Sequence, residues 1–453
     1  MIAIGSGVAA AAAATRCRAA GWRVAIVDQL PVGGTCALRG CDPKKVLVGA
    51  SEALDAVRRL RGSGIGGGVP GIDWPQLMRF KRGFTDPVPA EREQHWTRAG
   101  IEVMHGRARF VGPRTLDVDG RKLPARFILI AAGAVPAPLG IDGEEQLVTS
   151  TDFLALPALP ARVALVGGGY IAAEFSHLAV RAGARVTVVQ RRERLLPQFD
   201  PDLVAMLTRK STDLGIELRL GSRVQGLERT AAGCRLRLER DTTAAAAGAA
   251  TGAAAEVVAD LAVHAAGRVP DLAGLDLAAG GVQLEHGRLQ LNEFLQSRSN
   301  PAVYAAGDAA SDGAPLTPVA SHHAQVIASN LLGGNQLRPN YQGVPSIVFT
   351  TPPLARVGLL EQQAGEQGLH WRSRCEDTAG WYTARRLGED CAGFKVLVEE
   401  PSGRILGAHL LGPQADEVIN LFALAIRSAM TAEQLKGAIF GYPTAASDIQ
   451  YML

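Results

Sequence analysis

The chain has 453 residues, 47% of them hydrophobic and 20% charged, with 52 glycines, a size that requires several domains and a composition that suits a glycine-rich α/β protein. A net charge of +3 provides no field for nucleic acid or an anionic membrane surface, and no apolar stretch reaches the roughly 20 residues of a bilayer span. Six cysteines are too few for a disulfide scaffold at this length and point to a reducing, cytoplasmic setting with one working pair, Cys17, Cys234, Cys375 and Cys391 being read as thiols outside it.

Met1–Ile4 is predicted as a strand, Gly5-Ser6-Gly7-Val8-Ala9-Ala10 as a glycine-rich turn, Ala11–Ala20 as a helix, and Val24–Val27 as a second strand ending at Asp28. In that order these form the βαβ dinucleotide fingerprint. The glycines let backbone approach a pyrophosphate at the helix N-terminus, and the acid accepts a ribose hydroxyl. The first strand is short, so the natural start is expected a few residues upstream. The alanine run Val8–Ala14 has no basic residue before it and lies inside the motif, so it is read as helix and not as part of a signal peptide.

Directly after this unit comes Gly33-Gly34-Thr35-Cys36-Ala37-Leu38-Arg39-Gly40-Cys41-Asp42-Pro43-Lys44-Lys45. Residues five apart in an ideal helix have Cα atoms roughly 8.6 Å apart, beyond the ~7 Å limit for a disulfide. The two cysteines can therefore pair only at a helix entrance or across a distorted turn, and Gly33-Gly34 and Gly40 supply the backbone freedom for one. A thiol near a helix N-terminus, with Lys44 and Lys45 one turn on, is expected to have a lowered pKa. A nucleotide site followed by a dithiol suggests electrons passing from a cofactor to the sulfur pair; two inert buried cysteines are the structural alternative.

A second fingerprint follows, with strand Val163–Val166, turn Gly167-Gly168-Gly169-Tyr170-Ile171-Ala172, helix Ala173–Arg181 and strand Val186–Val189. Its second strand runs into Gln190-Arg191-Arg192 instead of an acid. Without the carboxylate nothing repels a phosphate, and Arg191, Arg192 and Arg194 can pair with a 2′-phosphate, so NADPH is expected over NADH. Thr242–Ala255 is a low-complexity run read as a surface loop between strands Cys234–Leu238 and Glu256–Val263. The chain returns through Ala265-Ala266-Gly267-Arg268 to a strand that ends in Gly307-Asp308. From Gln336 onward, strands Val344–Phe349, Phe394–Glu399 and Ile405–Leu411 with an amphipathic helix Ala415–Ala429 read as a domain of α+β type.

With these motifs in order, the chain resembles the pyridine nucleotide-disulfide oxidoreductases, the group of glutathione reductase, dihydrolipoamide dehydrogenase and mercuric reductase, over essentially its whole length. The resemblance is carried by Gly-Gly-Thr-Cys followed by four residues and Cys, by the two fingerprints, by Ala131-Ala132-Gly133, and by Tyr304-Ala305-Ala306-Gly307-Asp308. It implies an α/β fold of two Rossmann-like nucleotide-binding domains, for FAD and NAD(P), plus a C-terminal α+β dimerisation domain. The expected boundaries are 1–140 and 263–335 for FAD, 141–262 for NAD(P)H and 336–453 for dimerisation. FAD is implied in the first site, contacted by Gly5, Gly7, Asp28 and Asp308, and NAD(P)H in the second. Gly34, Thr35, Lys44, Ala132, Gly133, Gly167, Gly169, Tyr170, Ile171, Arg191, Arg192, Gly267, Arg268 and Gly307 complete the implied cofactor-binding set.

The resemblance also implies roles. Cys41, nearer the flavin, would be the charge-transfer thiolate and Cys36 the interchange thiol; Lys44 and Glu174 would pair beside the flavin ring, and Tyr170 would gate the flavin face. A homodimer is implied, in which the C-terminal segment of one chain reaches the cysteines of the other.

The C-terminus departs from the pattern. Where disulfide reductases carry His-Pro-Thr-x-x-Glu, this chain reads Tyr442-Pro443-Thr444-Ala445-Ala446-Ser447. Tyrosine, with an ordinary pKa of ~10, donates a hydrogen bond but is a poor base beside imidazole. Mercuric reductases also place a tyrosine here but add a C-terminal vicinal cysteine pair, whereas this chain stops at Tyr451-Met452-Leu453. Thr15 and Gln325 stand where glutathione reductase holds its substrate with arginines, so glutathione disulfide is not expected as the preferred substrate. His322 and His323 are read as structural before acid or ligand. The catalytic set is thus Cys36, Cys41, Lys44, Glu174 and Tyr442, with no metal site.

The expected function is an FAD-dependent NAD(P)H:disulfide oxidoreductase that passes electrons from NADPH through FAD to the Cys36–Cys41 disulfide and on to a small-molecule or protein disulfide. The alternatives are a mercuric-reductase-like reductase of a soft metal ion, and a flavoprotein redox sensor with little turnover.

Overall fold

A computed structural model describes residues 1–68, 70–240 and 256–453; the expected loop at 242–255 lies outside them. The chain divides into two compact units, one of residues 1–44, 80–137 and 268–341, the other of 45–79, 138–267 and 342–453.

In the first unit β1 (Ile2–Ile4), β2 (Ala25–Asp28) and β3 (Glu102–His105) join Ile128–Ile130 and Val303–Ala305 in one parallel sheet. Its spatial order is 303–305, 128–130, β1, β2, β3. The central strands are almost wholly apolar, as strands covered on both faces must be; Ile26, Leu129 and Ala305 are inaccessible. On one face α1 (Val8–Ala19) turns Ala10, Ala13 and Ala14 inward to pack with Ala324, Ile327 and Ala328 of the helix Thr317–Gly333. Alanine lets these helices approach closely while costing no side-chain entropy. The helix starts at Val8 and not at Ala11, because Gly7 already provides its extended N-cap.

The second unit contains a parallel sheet with the order Glu217–Leu220, Arg185–Gln190, Arg162–Val166, Leu261–His264. This repeats the order β3, β2, β1, Ile128–Ile130 of the first unit. The segment Glu256–Val263, expected as one strand, is two. Glu256–Ala259 pairs antiparallel with Gly233–Arg240, and Leu261–His264 pairs parallel with Arg162–Val166. The break is at Asp260, whose carboxylate accepts the Arg162 backbone N–H at 2.9 Å and its Nε–H at 3.0 Å.

Beyond residue 342 the same unit builds a five-stranded antiparallel sheet in the order Ser346–Val348, Leu354–Gly358, Ile405–Leu411, Gly393–Glu399, Trp371–Asp377. The helix Ala415–Arg427 covers it with Val418, Ile419 and Phe422. Among the described residues no helix is long and apolar enough to cross a membrane.

Candidate functional site

The helix α2 (Gly34–Arg39) ends at Gly40, whose φ of −143° and ψ of −112° are not helical, and α3 (Cys41–Arg59) starts at the next residue. One helix therefore does not span the five-residue spacing: Cys36 lies near the start of α2 and Cys41 opens α3. A Cβ at Gly40 would sit 3.0 Å from the Thr35 carbonyl oxygen, so the break closes tightly around the missing side chain. Cys36 and Cys41 stand as thiols in hydrogen-bond contact with each other. Cys41 Sγ also lies 3.6 Å from Oγ1 of Thr317, the first residue of its helix, and Cys36 Sγ donates to Oδ1 of Asp42 at 3.7 Å.

The lowered thiol pKa expected from the helix N-terminus and lysines does not appear at Cys36. Its hydrogen bond with Cys41, followed by burial, pushes the thiol above its ordinary value; the Thr317 hydroxyl opposes the shift, and the charge of Asp42 adds to it. Lys45 does not counter this. Its Nζ is 3.0 Å from Glu52 and 3.8 Å from Asp416 and lies over the Phe349 ring. Lys44 is half-buried in the first turn of α3.

Beside β1 and α1 opens a cleft of about 360 Å³. It is lined by Gly5, Gly7, Asp28, Gly34, Thr35, Ala132 and Gly133 from the sequence-predicted set, and also by Ser6, Arg39 and Asp271. Glycine is required at two of these positions. Gly5 has φ +99° and its Cβ would lie 2.3 Å from the Ala131 carbonyl oxygen; Gly34 has φ +74° and its Cβ would lie 2.4 Å from Gly7 Cα. The N-terminus of α1 has no side-chain cap and no acid in its first turn, so its amides stay available to an anion.

Asp28 does more than the single job read from the sequence. Its Oδ2 accepts the Ser6 N–H at 2.9 Å and the Ser6 hydroxyl at 2.6 Å, and its Oδ1 accepts the Leu30 N–H at 2.9 Å. A carboxylate has about four acceptor positions, which leaves room for a ribose hydroxyl. Ser6, fully buried, accepts the Gly33 N–H at 3.0 Å and so ties the first glycine turn to the start of the dithiol segment. Sequence reasoning missed Ser6, whose only signal is a hydroxyl enclosed between two turn glycines.

Gly307 and Asp308 begin a short 3-10 turn. Burial pushes the Asp308 carboxyl above the usual range, with the charge of Arg268 acting against it. The Arg268 guanidinium itself donates to the Ala134 carbonyl. Gly307 donates its N–H to Nδ1 of His323 at 3.1 Å, so that nitrogen is unprotonated. Nε2–H then donates to the Tyr341 hydroxyl at 2.7 Å, which donates in turn to Asp312 at 2.6 Å. His323 is inaccessible, and burial lowers its pKa to about 4. His322 Nε2 accepts the Asn340 N–H. Both histidines are engaged structurally, as read from their place on the helix.

The second glycine turn has the geometry of the first. Gly167 has φ +119°, and its Cβ would lie 2.2 Å from the Ala265 carbonyl oxygen; Gly267 has φ +114°. Gly169 caps the helix Tyr170–Arg181, again with no side-chain cap and no acid in the first turn, and Ile171 is half-buried beside it. Tyr170 packs edge-on to Phe199 at 5.5 Å, and burial raises its pKa, with the Ser346 and Gln198 side chains opposing. At the end of the neighbouring strand Arg191 and Arg192 are exposed, and the Gly221 N–H holds the Arg192 carbonyl at 3.0 Å. Glu174 is buried on the same helix, where its carboxylate accepts the Phe349 N–H at 2.9 Å. Tyr442 is 79% exposed, while Ser447 is buried in a capping box with Thr444.

The sequence profile described as pyridine nucleotide-disulphide oxidoreductase matches residues 1–324, and that of the family's dimerisation domain matches 344–453. The chain belongs to the pyridine nucleotide-disulphide oxidoreductase family. This oxidoreductase is 32% identical over 450 residues to a glutathione reductase of Burkholderia cepacia, with 98% of this chain and 96% of the relative covered. It is 31% identical over 458 residues to a mercuric reductase of Staphylococcus aureus, covering 99% and 81%. Among solved structures, the HOCl-induced flavoprotein disulfide reductase RclA from Escherichia coli, in its Cu(II) complex, matches with a TM-score of 0.87 at 25% identity, over 100% of this chain and 98% of that one.

The oxidoreductase is accordingly an FAD-dependent NAD(P)H:disulfide oxidoreductase. FAD, when bound, supplies hydride acceptance from a pyridine nucleotide and electron-pair donation to a disulfide. The cleft suits it: a backbone cradle with no room for a Cβ at Gly5 or Gly34, uncapped amides for the pyrophosphate and a carboxylate with a remaining acceptor position.

Proposed function

We propose that the enzyme draws on NADPH in preference to NADH and uses Cys36 and Cys41 as the dithiol that reduces its acceptor. The observation that carries the reading is the contact of the two thiols across the helix break at Gly40, with Cys36 half-buried and Cys41 exposed, so that neither sulfur is sealed from an acceptor. The nucleotide preference rests on the exposed Arg191 and Arg192, which can take a 2′-phosphate in charge-assisted hydrogen bonds. The cofactor segments in this reading are 1–140 and 263–335 for FAD and 141–262 for NADPH. Gly5, Gly7 and the α1 amides bind the FAD pyrophosphate and Asp28 its ribose.

The acceptor is a disulfide or a soft metal ion, for which paired thiols are suitable ligands. Similarity to both a glutathione reductase and a mercuric reductase supports that range. Residues 336–453 make the protein a homodimer in which exposed Tyr442 meets the acceptor as a hydrogen-bond donor. Light scattering is expected to give twice the 47.5 kDa chain mass; a monomer that turns over would remove the dimer and with it this role for Tyr442.

The test is anaerobic titration of the holoenzyme with NADPH and, separately, NADH. A long-wavelength absorption band should grow in over the first two electrons with NADPH and at much higher concentrations with NADH. Bleaching without that band would show a redox-silent cysteine pair and favour a sensor. In the double variant Arg191→Ala/Arg192→Ala, the NADPH concentration needed should rise at least about tenfold, given the strength of hydrogen bonds to a charged group, and that for NADH should stay put. Equal effects on both nucleotides would remove the 2′-phosphate role.

A further inference from the structure

The dithiol is flanked by a carboxylate. Asp42 follows Cys41 in the first turn of α3, where the helix dipole favours a negative charge, and its Oδ1 lies 3.7 Å from Cys36 Sγ. Cys41 and Asp42 are exposed and Cys36 half-buried, so an acceptor reaching either sulfur comes within a few ångströms of that charge. The side chains that act most strongly on the Cys36 thiol are Cys41, Thr317 and Asp42. Lys45 is directed to Glu52 and Asp416.

We propose that Asp42 sorts acceptors by charge, so that the dithiol prefers cationic acceptors, a soft divalent metal ion or a disulfide bearing ammonium groups, over anionic disulfides. The inference rests on the reading of Cys36 and Cys41 as the working dithiol. In exchange with a disulfide, the Cys36 thiolate attacks one acceptor sulfur, the acceptor S–S bond breaks and one thiolate leaves. The Cys41 thiolate then attacks the Cys36 sulfur and releases the second thiolate, so two electrons pass to the acceptor and the Cys36–Cys41 bond forms. During the first displacement a negative charge is shared along three sulfurs beside the Asp42 carboxylate. An ammonium group on the acceptor offsets both charges, and a carboxylate adds to them. At separations of about 6 Å, in surroundings between water and protein, each acceptor charge changes the rate about three- to tenfold.

The experiment uses holoenzyme reduced anaerobically with one equivalent of NADPH and mixed in a stopped flow with cystamine, 2-hydroxyethyl disulfide or 3,3′-dithiodipropionate, which are cationic, neutral and anionic. The wild type should react in that order with a span of at least about tenfold, and added salt should narrow it. Asp42→Asn, which keeps the size and a hydrogen-bond acceptor for Cys36, should narrow the span about tenfold while the neutral disulfide changes less than about threefold. An unchanged span overturns the proposal. So does an equal fall for all three disulfides, which would make Asp42 a positioning residue for Cys36. If NADPH yields no reactive thiols in either protein, the dithiol reading itself falls and takes the proposal with it.

Discussion

Serine at Cys36 or at Cys41 is expected to lower the reduction of any disulfide by at least about a thousandfold, because exchange needs one thiol to attack and a second to resolve the mixed disulfide. NADPH-dependent reduction of a quinone, which needs no dithiol, should survive in both variants. Thiol counting makes the result specific. Cys17, Cys234 and Cys391 are buried and unreactive in the native fold, whereas Cys36, Cys41 and Cys375 are accessible. Native wild-type protein should therefore gain two reactive thiols on reduction by NADPH, and each serine variant none. A variant that still gains two would place the working pair elsewhere. The pH dependence follows from the raised Cys36 pKa: the attacking thiolate is scarce at neutral pH, so wild-type disulfide reduction should climb as pH rises through and beyond neutrality. A profile already flat at pH 7 would require a base that lowers the Cys36 pKa once substrate is bound.

The break between the two cysteines was legible because it is a backbone matter. Five residues on a continuous helix hold Cα atoms too far apart, which left a helix entrance or a distorted turn, with Gly33-Gly34 and Gly40 as the places where the chain has the freedom for one; the structure breaks at Gly40. The two glycine turns were legible for the same reason, and their strand orders agree. What could not be read depends on which side chains meet through space. Lys45 was expected to act on the thiols, yet its ammonium finds Glu52 two turns along the helix and Asp416 from a distant segment. Glu256–Val263 carries unbroken strand character on both sides of Asp260, and only the arrival of Arg162 explains why the chain bends there. Ser6 and Asp42 sit inside motifs whose glycines and cysteines drew the reading, although Ser6 organises the first turn and Asp42 touches the Cys36 sulfur.

The duplicated glycine geometry supports a paired test with opposite outcomes. At Gly5 an added methyl would meet the Ala131 carbonyl oxygen at 2.3 Å with φ +99°, and at Gly167 it would meet the Ala265 carbonyl oxygen at 2.2 Å with φ +119°. Neither turn can keep its place with alanine, since the left-handed backbone costs roughly 1–2 kcal/mol and the carbonyl must also move. In each case the displaced atoms are the amides at the mouth of a helix N-terminus, and losing one or two of their hydrogen bonds to a charged phosphate, at about 1.5–3 kcal/mol each, costs about a hundredfold in binding. Gly5→Ala should therefore weaken FAD binding about a hundredfold, read as loss of yellow colour on gel filtration and as a raised dissociation constant when FAD fluorescence is quenched by apoprotein. Gly167→Ala should keep a full complement of FAD and instead raise the dissociation constant of NADP⁺ measured by calorimetry. Circular dichroism and the melting temperature of each variant separate these effects from general unfolding. If Gly5→Ala retains FAD, or if both variants lose the same ligand, the assignment of one nucleotide to each glycine turn is wrong.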